Sequence, residues 1–533
     1  MPRETAAPSA FEKEDPLRTK AAVSAALALF LALAAASLHS LELSIGGALY
    51  KRLSPTELAS LAYDLPLPDG SLARGLALGE VFPLVESAWR LEASTRSGGR
   101  TFADDGLAER LFEIRLVQAA AGAWDLIIGD EYVARDEYVA RDEYVARDER
   151  VAGVDRLDLS ADLLSEDSLE FWASWEGVNE LKKEIARFAE THGKSIRVLD
   201  VPNTQTKLLA TARARGKLPD LVMIQSDYVP ALSRAGIIQS VEHLGDMDIV
   251  PKGFEAFVDQ GKAWAVPFYF DAQLVFYRPS LAGGPVPDSW TLEDMVSRAR
   301  ALRGKVEAPL AWNAWSAYWL LPFVAGFGKE RLVGPDGSMI ANDLPTARAL
   351  GKLKELKAEG SLEMLERDAM ISWFAAGKAA FILHGSYGIP EFERIGLDFG
   401  VAPYPLVAET GKALAPLLDF KGLAISRRTT KPILAKRLVQ YLSSPGPQAR
   451  FSSSQAKLPA NRSAWTISRS TNKYFAQLSR SYETGIVVPP VPAYGAYKSI
   501  MWKMLRFLFT DQMDLSETLA TADRLIAENL GTR

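Results

Sequence analysis

The chain has 533 residues, of which 48% are hydrophobic and 24% are charged. This composition is typical of globular proteins, and the length is sufficient for three domains. The net charge of -5, from 61 basic and 66 acidic residues, argues against nucleic-acid binding, which requires a basic face. Cysteine is absent, which excludes disulfides, thiol nucleophiles and cysteine-based metal sites. The four histidines lack metal-ligand spacing, so we expect no metal and no cofactor.

The N-terminal region contains an uncharged apolar stretch, AAVSAALALFLALAAA at residues 21–36, which follows Arg18 and Lys20. A basic start, an apolar segment and small residues suitable for cleavage are typical of a secretory signal peptide. The stretch approaches the length of a membrane span, so an uncleaved anchor is one alternative and a buried helix is another. We predict that residues 1–40 are a signal peptide or membrane anchor, and that the rest is exported to the periplasmic or extracellular side.

Turn residues and alternating segments predict a small α+β domain over residues 41–166. It contains the hexapeptide DEYVAR three times, at 130–135, 136–141 and 142–147. Because six is a multiple of the two-residue period of a strand, the repeat suits an extended ribbon or an insertion better than a helix. We favour a tandem duplication tolerated in a hairpin over an adhesive strand. The sequence does not identify a ligand for this domain.

Residues 167–533 alternate between helical and strand-like patterns, for example VNELKKEIARFAETHGK, SIRVLDV and PDLVMIQ. Strand–helix–strand units of this length build a mostly parallel α/β sheet. The segment MISWFAAGKAAFILHGSYG at 370–388 predicts a helix that ends at Gly377 in a left-handed conformation, followed by a strand. We expect Gly385 to turn the backbone at the end of this strand, just before Tyr387.

The segments between Ser168 and Leu530 resemble the extracellular solute-binding proteins of ABC importers, in the maltose-binding (sugar-binding family 1) group. The likeness lies in the ordered run of LEFWASWEGVNELKKEIARFAETHG, LPDLVMIQSDYVPALSRAGIIQSV, GKAWAVPFYFDAQLVFYRPSL, WFAAGKAAFILHGSYG and GIVVPPVPAYGAYKSIMWKMLRFL. It implies a two-lobed, periplasmic-binding-protein-like α/β fold with a hinge. The implied division places lobe one at about 167–270 and 422–465, and lobe two at about 271–421 and 466–533.

The resemblance also implies a ligand site on loops that follow the strands. Aromatic rings cover the apolar faces of a sugar, and carboxylates accept hydrogen bonds from its hydroxyls. Some of the candidate residues have alternative roles. Asp271 could be a hydrogen-bond acceptor in the hinge, and Asp227 and Glu176 could cap helices. The tryptophans near Tyr318 could simply pack the core. The predicted ligand-binding residues are Trp175, Glu176, Asp227, Tyr228, Asp271, Tyr318, Tyr387 and Tyr494.

The function implied by the resemblance is that of an extracytoplasmic receptor. It would capture a carbohydrate between its lobes and deliver it to the membrane subunits of an ABC permease. The alternative is a membrane-anchored ligand sensor or scaffold with the same binding fold. An enzyme is not expected: the carboxylate pairs Glu363/Glu366 and Glu391/Glu393 raise glycoside hydrolysis, but that reaction requires a defined distance between two carboxyl groups that a sequence does not supply.

Overall fold

The computed structural model describes residues 40–531 except for 46–47, 67–71, 83, 96–97, 104–106, 108–110, 113, 119–122, 129–148, 152–153, 245–246 and 288. The predicted signal peptide or anchor lies outside the described residues apart from Ser40, and the DEYVAR repeat lies wholly outside them. Among the helices that the structure describes, none combines the length and the apolar composition that a membrane crossing requires.

The front domain, residues 41–163, contains ten strands and one α-helix whose full bounds the structure describes. They are β1 (Leu41–Ile45), β2 (Ala48–Leu53), α1 (Pro55–Leu61), β3 (Tyr63–Pro66), β4 (Leu72–Ala77), β5 (Val85–Thr95), β6 (Gly98–Ala103), β7 (Arg115–Gln118), β8 (Trp124–Ile128), β9 (Glu149–Val151) and β10 (Val154–Leu163). Two five-stranded sheets, β2-β1-β10-β5-β6 and β3-β4-β7-β8-β9, share one apolar core. The predicted α+β domain therefore has both kinds of element, and strands dominate it.

The remaining strands belong mainly to one large sheet. They are β11 (Ser168–Ala173), β12 (Ser195–Asp200), β13 (Leu221–Gln225), β14 (Val258–Asp259), β15 (Lys262–Ala263), β16 (Val266–Tyr277), β17 (Ala308–Trp312), β18 (Leu362–Met364), β19 (Ala379–Gly385), β20 (Gly400–Ala402), β21 (Leu406–Val407), β22 (Lys412–Ala413), β23 (Leu417–Ile425), β24 (Leu458–Pro459) and β25 (Ile486–Val487).

Sixteen further helices in the described residues cover this sheet. They are α2 (Val178–His192), α3 (Thr204–Arg213), α4 (Val229–Arg234), α5 (Pro251–Ala256), α6 (Pro279–Ala282), α7 (Leu292–Arg300), α8 (Ala317–Gly326), α9 (Leu344–Ala358), α10 (Arg367–Ala375), α11 (Ile389–Arg394), α12 (Pro432–Ser443), α13 (Pro445–Ser454), α14 (Ser463–Thr471), α15 (Phe475–Thr484), α16 (Pro492–Phe509) and α17 (Leu515–Leu530).

Strand β16 joins the two halves of the large sheet. The main strand order is β12-β11-β13-β23-β16-β19-β17-β18, with β20 and β24 beside β16 and β25 beside β23. Residues 266–272 of β16 pair with β23, whereas residues 273–277 pair with β19. We call the half on the β23 side lobe one and the half on the β19 side lobe two. The predicted two-lobed α/β fold is thus confirmed, with β16 as a shared strand.

Helix α2 shows how the apolar pattern builds lobe one. Val178, Leu181, Ile185 and Phe188 lie on its buried face and pack into a core with β11, β13 and α12. The helix ends at Gly193, whose φ of 61° is the left-handed conformation that glycine adopts with little strain. Burying such side chains contributes about 1.5–3 kcal/mol each, so the periodic face is sufficient to fix the helix on the sheet.

The strand pairing disagrees with the predicted lobe boundary at 421/422. This boundary falls inside β23, and the residues before it already pair with lobe-one strands. Leu418 lies opposite Ala272 on β16, and Lys421 lies opposite Gln225 at the end of β13. The whole of β23 therefore belongs with lobe one, because its backbone hydrogen bonds lie there.

The predicted boundary at 465/466 also moves, because it falls inside the continuous helix α14. The next helix, α15, packs against the lobe-one half of β16, where the Tyr482 ring lies 5.5 Å from the Phe270 ring. The ammonium group of Lys252 donates hydrogen bonds to three carbonyl oxygens at and just after the end of α15. Residues 466–487 therefore lie with lobe one, and the chain returns to lobe two before α16.

The front domain docks on lobe one around the ring of Tyr63. The Tyr63 hydroxyl donates to the Glu80 carboxylate at 2.6 Å, and the guanidinium of Arg450 lies 5.7 Å from the Tyr63 ring. Arg450, on α13, also forms an ion pair of 2.9 Å with Glu184 on α2. A β-carbon at Gly446 would lie 2.4 Å from the Tyr63 ring, so the two parts approach too closely there for any other residue.

We predict that Gly446→Ala destabilises the docked domain. Forcing a methyl group against the Tyr63 ring should lower the free energy of unfolding by about 1–3 kcal/mol, measured by urea denaturation of the full chain. Gly495→Ala on α16 is the matched control, because nothing lies within 4 Å of the β-carbon it would add. The control should be neutral or stabilising, since alanine favours helix. An unchanged midpoint for Gly446→Ala would contradict the docked arrangement.

The DEYVAR repeat lies in the sequence between the two strands of a hairpin, and the pairing of these strands does not require it. Strands β8 and β9 are antiparallel, with Ile128 opposite Glu149. Between these two residues the sequence consists of Gly129-Asp130 and three copies of EYVARD at 131–148. Deleting 131–148 leaves Gly-Asp as a two-residue loop, which is a favoured hairpin connection.

We therefore predict that the variant lacking residues 131–148 folds with an equal or higher unfolding temperature. Shortening the connection from 20 residues to two lowers the loop-closure cost by about 2 kcal/mol on the logarithmic scale. Variants that lack one, two or three copies should show a graded effect in thermal unfolding. A progressive loss of stability as copies are removed would contradict this and give the repeat a structural role.

Candidate functional site

The first wall of the candidate site consists of Trp175, Glu176, Asp227 and Tyr228 on lobe one. These residues follow the parallel strands β11 and β13, so they lie at the carboxyl ends of the strands, where ligands bind in open α/β sheets. The Trp175 and Tyr228 rings have centroids 6.1 Å apart. Trp175 has a φ of 73°, and strain of this kind, about 1–3 kcal/mol, is typical of functional sites.

The second wall consists of Arg367, Tyr387, Tyr494 and Lys498 on lobe two. The Arg367 guanidinium lies 5.2 Å from the centroid of the Tyr387 ring, and the Lys498 ammonium lies 5.0 Å from the Tyr494 ring. Cations over aromatic faces in this range contribute about 0.5–2 kcal/mol. Tyr387 is half-buried, whereas Tyr494 is fully buried within the core of lobe two.

Two ion pairs join the walls. Lys498 lies 2.8 Å from Asp227, and Arg367 lies 3.7 Å from Glu176. Each pair connects a lobe-two helix with a lobe-one loop, so the walls face each other at contact distance. Neither Asp227 nor Glu176 caps a helix with its side chain, so the alternative role of these two acids as helix caps is wrong.

A buried ion pair supports the site at the point where β16 changes partner. The Lys457 ammonium donates to both carboxylate oxygens of Asp271, at 2.7 and 2.9 Å, and the Ser386 hydroxyl donates to one of them at 2.9 Å. Both charged side chains are at most 2% exposed. The carboxylate is thus occupied and enclosed, which corrects the predicted ligand contact by Asp271 and matches its alternative role in the hinge.

A polar floor, formed by Gln225, Asp419 and Lys421, lies beside the first wall. The Lys421 ammonium lies 2.7 Å from the Asp419 carboxylate, and the Gln225 amide donates to both carboxylate oxygens at 3.1 and 3.0 Å. Lys421 also lies 5.0 Å from the centroid of the Trp175 ring. Burial raises the pKa of Asp419, although Lys421 opposes this shift.

Tyr318 lies near the strand that carries this floor, because the Gln273 side chain joins the Tyr318 carbonyl oxygen to the Leu417 amide of β23. Its hydroxyl oxygen is buried and has no hydrogen-bond partner in the part of the chain that the structure describes. Burial raises the pKa of Tyr318, and the negative charge of Asp419 adds to the effect. Burial, followed by the charges of Asp227 and Asp419, likewise raises the pKa of Tyr228 to about 12. The phenols around the floor are therefore neutral hydrogen-bonding groups at physiological pH.

Comparison with known proteins places this geometry in a family. The profile described as bacterial extracellular solute-binding protein matches residues 183–474, more than half of the chain. The chain belongs to the bacterial extracellular solute-binding proteins. The matched residues begin after the front domain and include the first wall from Asp227, the polar floor and part of the second wall.

Two curated relatives of this solute-binding protein come from Bacillus subtilis (strain 168). A maltodextrin-binding protein is 24% identical over 292 residues, which cover 52% of this chain and 69% of the relative. A galactooligosaccharide-binding protein is 21% identical over 295 residues, which cover 51% of this chain and 67% of the relative. These values indicate a common fold with diverged contacts.

Solved structures resemble the same two lobes. The GacH receptor of Streptomyces glaucescens has a TM-score of 0.62 at 20% identity, covering 69% of this chain and 99% of the receptor. A Thermus thermophilus maltotriose-binding protein, solved with maltotriose, has a TM-score of 0.61 at 20% identity and covers 68% of this chain and 100% of that chain. The likeness is one of fold.

The structure of residues 370–388 agrees with the prediction at Gly377 and departs from it at Gly385. Gly377 has a φ of 72°, the expected left-handed end of a helix. Gly385, by contrast, has an extended backbone and does not turn the chain. A β-carbon there would lie 2.1 Å from the Tyr387 ring, so glycine is required because that ring folds back over it.

The tryptophans near Tyr318 have different surroundings. Trp312 is fully buried and packs on Phe323 with ring centroids 3.9 Å apart, so it belongs to the core. Trp319 is also buried, whereas Trp315 is half-buried below the Arg506 guanidinium. The alternative that these tryptophans pack the core is correct for the first two.

The acids considered for glycoside hydrolysis lie on the exposed surface. Glu366 binds Arg506 and accepts a hydrogen bond from Asn313, and Glu393 accepts one from the Tyr474 hydroxyl. Within the described residues, no cluster of histidines and acids could hold a metal ion.

The sequence interpretation missed five residues of the site and one that supports it. Lys421 lies inside β23 together with Asp419, and Lys457 immediately precedes β24. Charged residues inside or beside an otherwise apolar strand were the available sign, because buried charges require a partner. The missed residues are Gln225, Arg367, Asp419, Lys421, Lys457 and Lys498.

We predict that Lys457→Met destabilises the protein by about 3–5 kcal/mol in urea denaturation, because it leaves the Asp271 carboxylate buried without its cation. The double variant Asp271→Asn/Lys457→Met should recover much of this loss, since Asn retains an acceptor for Ser386. Lys378→Met is a matched surface control, because Lys378 is half-exposed and 3.6 Å from Glu307. It should change stability by at most about 0.5 kcal/mol. Equal effects at 457 and 378 would contradict the buried pair.

Proposed function

We propose that this solute-binding protein is an extracytoplasmic receptor that binds a carbohydrate between its first and second walls. It then delivers the sugar to the membrane subunits of an ABC permease. The observation that carries the proposal is the pair of facing walls, each with aromatic rings and charged side chains, on opposite lobes of one hinged sheet. The maltodextrin-binding and maltotriose-bound relatives support the choice of a sugar.

The side chains of the walls suit the chemistry of a sugar. The faces of a pyranose ring are apolar, and the rings of Trp175, Tyr228 and Tyr387 offer apolar area against them. The hydroxyl groups at its rim require donors and acceptors, which the charged residues of both walls supply. We propose Trp175, Glu176, Asp227, Tyr228 and Tyr387 as direct contacts.

The two remaining predicted contacts have different proposed roles. The Tyr318 hydroxyl lacks a partner in the described structure, so we propose that it bonds to the ligand. Tyr494 is buried beneath Lys498, and we propose that it positions this lysine. Asp271 supports the wall from the hinge and does not contact the ligand.

Ligand binding is proposed to favour the closed arrangement of the lobes. A ligand that contacts both walls binds the closed form more tightly than the open form, and this difference in affinity shifts the population. The shared strand β16 permits the lobes to move as units, because each half of the strand is paired within its own lobe. The permease would recognise the closed form.

Export is part of the proposal. The family consists of extracellular proteins, and residues 21–36 have the composition of a signal peptide or an anchor. In either case the front domain lies between this segment and lobe one along the chain. Because it docks on lobe one, we propose that closure moves lobe two relative to the front domain.

We predict that the full chain binds maltotriose in isothermal titration calorimetry, and that Tyr387→Ala weakens this binding about 10–100-fold. The loss corresponds to about 1.5–3 kcal/mol, the contribution expected from burying one aromatic side chain against the sugar. Thermal unfolding of the variant should remain close to that of the natural chain, because Tyr387 is half-buried at the edge of lobe two.

Tyr50→Ala is the matched control, since Tyr50 is an exposed tyrosine of the front domain and lies outside the site. It should bind maltotriose as the natural chain does. If neither maltotriose nor any neutral di- or oligosaccharide in a panel binds the natural chain, the carbohydrate proposal is wrong. If the natural chain binds and Tyr387→Ala binds equally well, Tyr387 does not belong to the site.

A further inference from the structure

The polar floor is held in place by the backbone. Asp419 and Lys421 are two residues apart on β23, so their side chains leave the same face of the strand. Lys421 lies opposite Gln225 in the pairing of β23 with β13, which brings the Gln225 amide to the Asp419 carboxylate. Three polar side chains on two paired central strands thus form one rigid group.

This floor lies beside the first wall and next to the hinge ion pair. Lys421 faces the Trp175 ring of the first wall at 5.0 Å. Asp419 lies opposite Asp271 in the pairing of β23 with β16, and Asp271 accepts a hydrogen bond from Ser386, which directly precedes Tyr387 of the second wall. The floor therefore adjoins residues of both walls.

The floor differs from the hinge ion pair in the donors of its lysine and in the exposure of its carboxylate, which is 11% for Asp419 and 2% for Asp271. Lys457 uses its ammonium on both oxygens of Asp271, whose carboxylate also accepts from Ser386. Lys421 has three N–H donors and contacts one carboxylate oxygen among the described residues, so donors remain for a further partner.

A second group nearby lacks a partner. The Tyr318 hydroxyl is buried without a hydrogen bond in the described structure, and such a group costs about 1–3 kcal/mol unless something satisfies it. The carbonyl oxygen of Tyr318 accepts from Gln273 at 2.8 Å, so the backbone that carries the phenol is fixed to the hinge strand. A hydroxyl-bearing ligand on the floor would satisfy this phenol.

We propose that Asp419 and Lys421 bind two neighbouring hydroxyl groups of a neutral sugar and determine the ligand class of the site. This inference rests on the proposed carbohydrate-binding function. The carboxylate accepts a hydrogen bond from one hydroxyl, and the ammonium donates to the oxygen of the next. Because the two charges balance, an uncharged diol gains both bonds, whereas an acidic sugar places its carboxylate against Asp419.

The test is calorimetry of the full chain with maltotriose and with trigalacturonate as an acidic sugar of equal length. Asp419→Asn and Lys421→Met should each weaken maltotriose binding about 10–100-fold, as expected for loss of a hydrogen bond to a charged group. Asp398→Asn, at an exposed position of lobe two, is the matched control and should leave binding unchanged. The natural chain should bind maltotriose more tightly than trigalacturonate.

Folding is controlled separately. Each single variant leaves one buried charge unpaired, so the double variant Asp419→Asn/Lys421→Met, which removes both charges, is measured with them by thermal unfolding. A folded double variant that binds maltotriose within twofold of the natural chain overturns the inference, as does tighter binding of trigalacturonate by the natural chain. If the natural chain binds neither sugar nor any other carbohydrate, the proposed function itself fails.

Discussion

The buried ion pair between Asp271 and Lys457 fixes the point at which β16 passes from lobe one to lobe two. Two opposite charges are tolerated in a protein interior only when they are paired and hydrogen-bonded to each other. This requirement fixes the relative position of the three chain segments that form the pair and its hydrogen bonds. Asp271 belongs to β16, Lys457 immediately precedes β24, and Ser386 follows β19. The two lobes that carry the walls meet along β16, so the relative position of the walls depends on this strand.

Charge pairing continues from the hinge to the surface of the site. Asp419 pairs with Lys421 on the floor, and two further pairs join the walls, with exposure increasing along the way. Exposed pairs contribute little stability, about 0–1 kcal/mol, so breaking the wall pairs would cost much less than breaking the hinge pair. A rigid hinge with weak contacts between the walls suits the opening and closing that we propose.

The sequence predicted the elements better than it predicted their partners. The apolar face of α2 and the left-handed Gly377 follow from local periodicity and from the conformational freedom of glycine. The ligand contacts, Tyr387 among them, were predicted from the resemblance to the family and stay predictions. The cations of the site were not predicted, because Lys498 lies 271 residues from Asp227 and Lys457 lies 186 residues from Asp271. Pairing over such separations is set by the fold, as is the docking of the front domain.

The most direct test of the account is a crystal structure of the full chain with maltotriose. We expect the sugar between Trp175 and Tyr387, with one hydroxyl within hydrogen-bond distance of the Asp419 carboxylate and another within reach of the Lys421 ammonium. Maltotriose bound elsewhere on the molecule, or lobes that remain in contact with no sugar between them at saturating concentration, would contradict it.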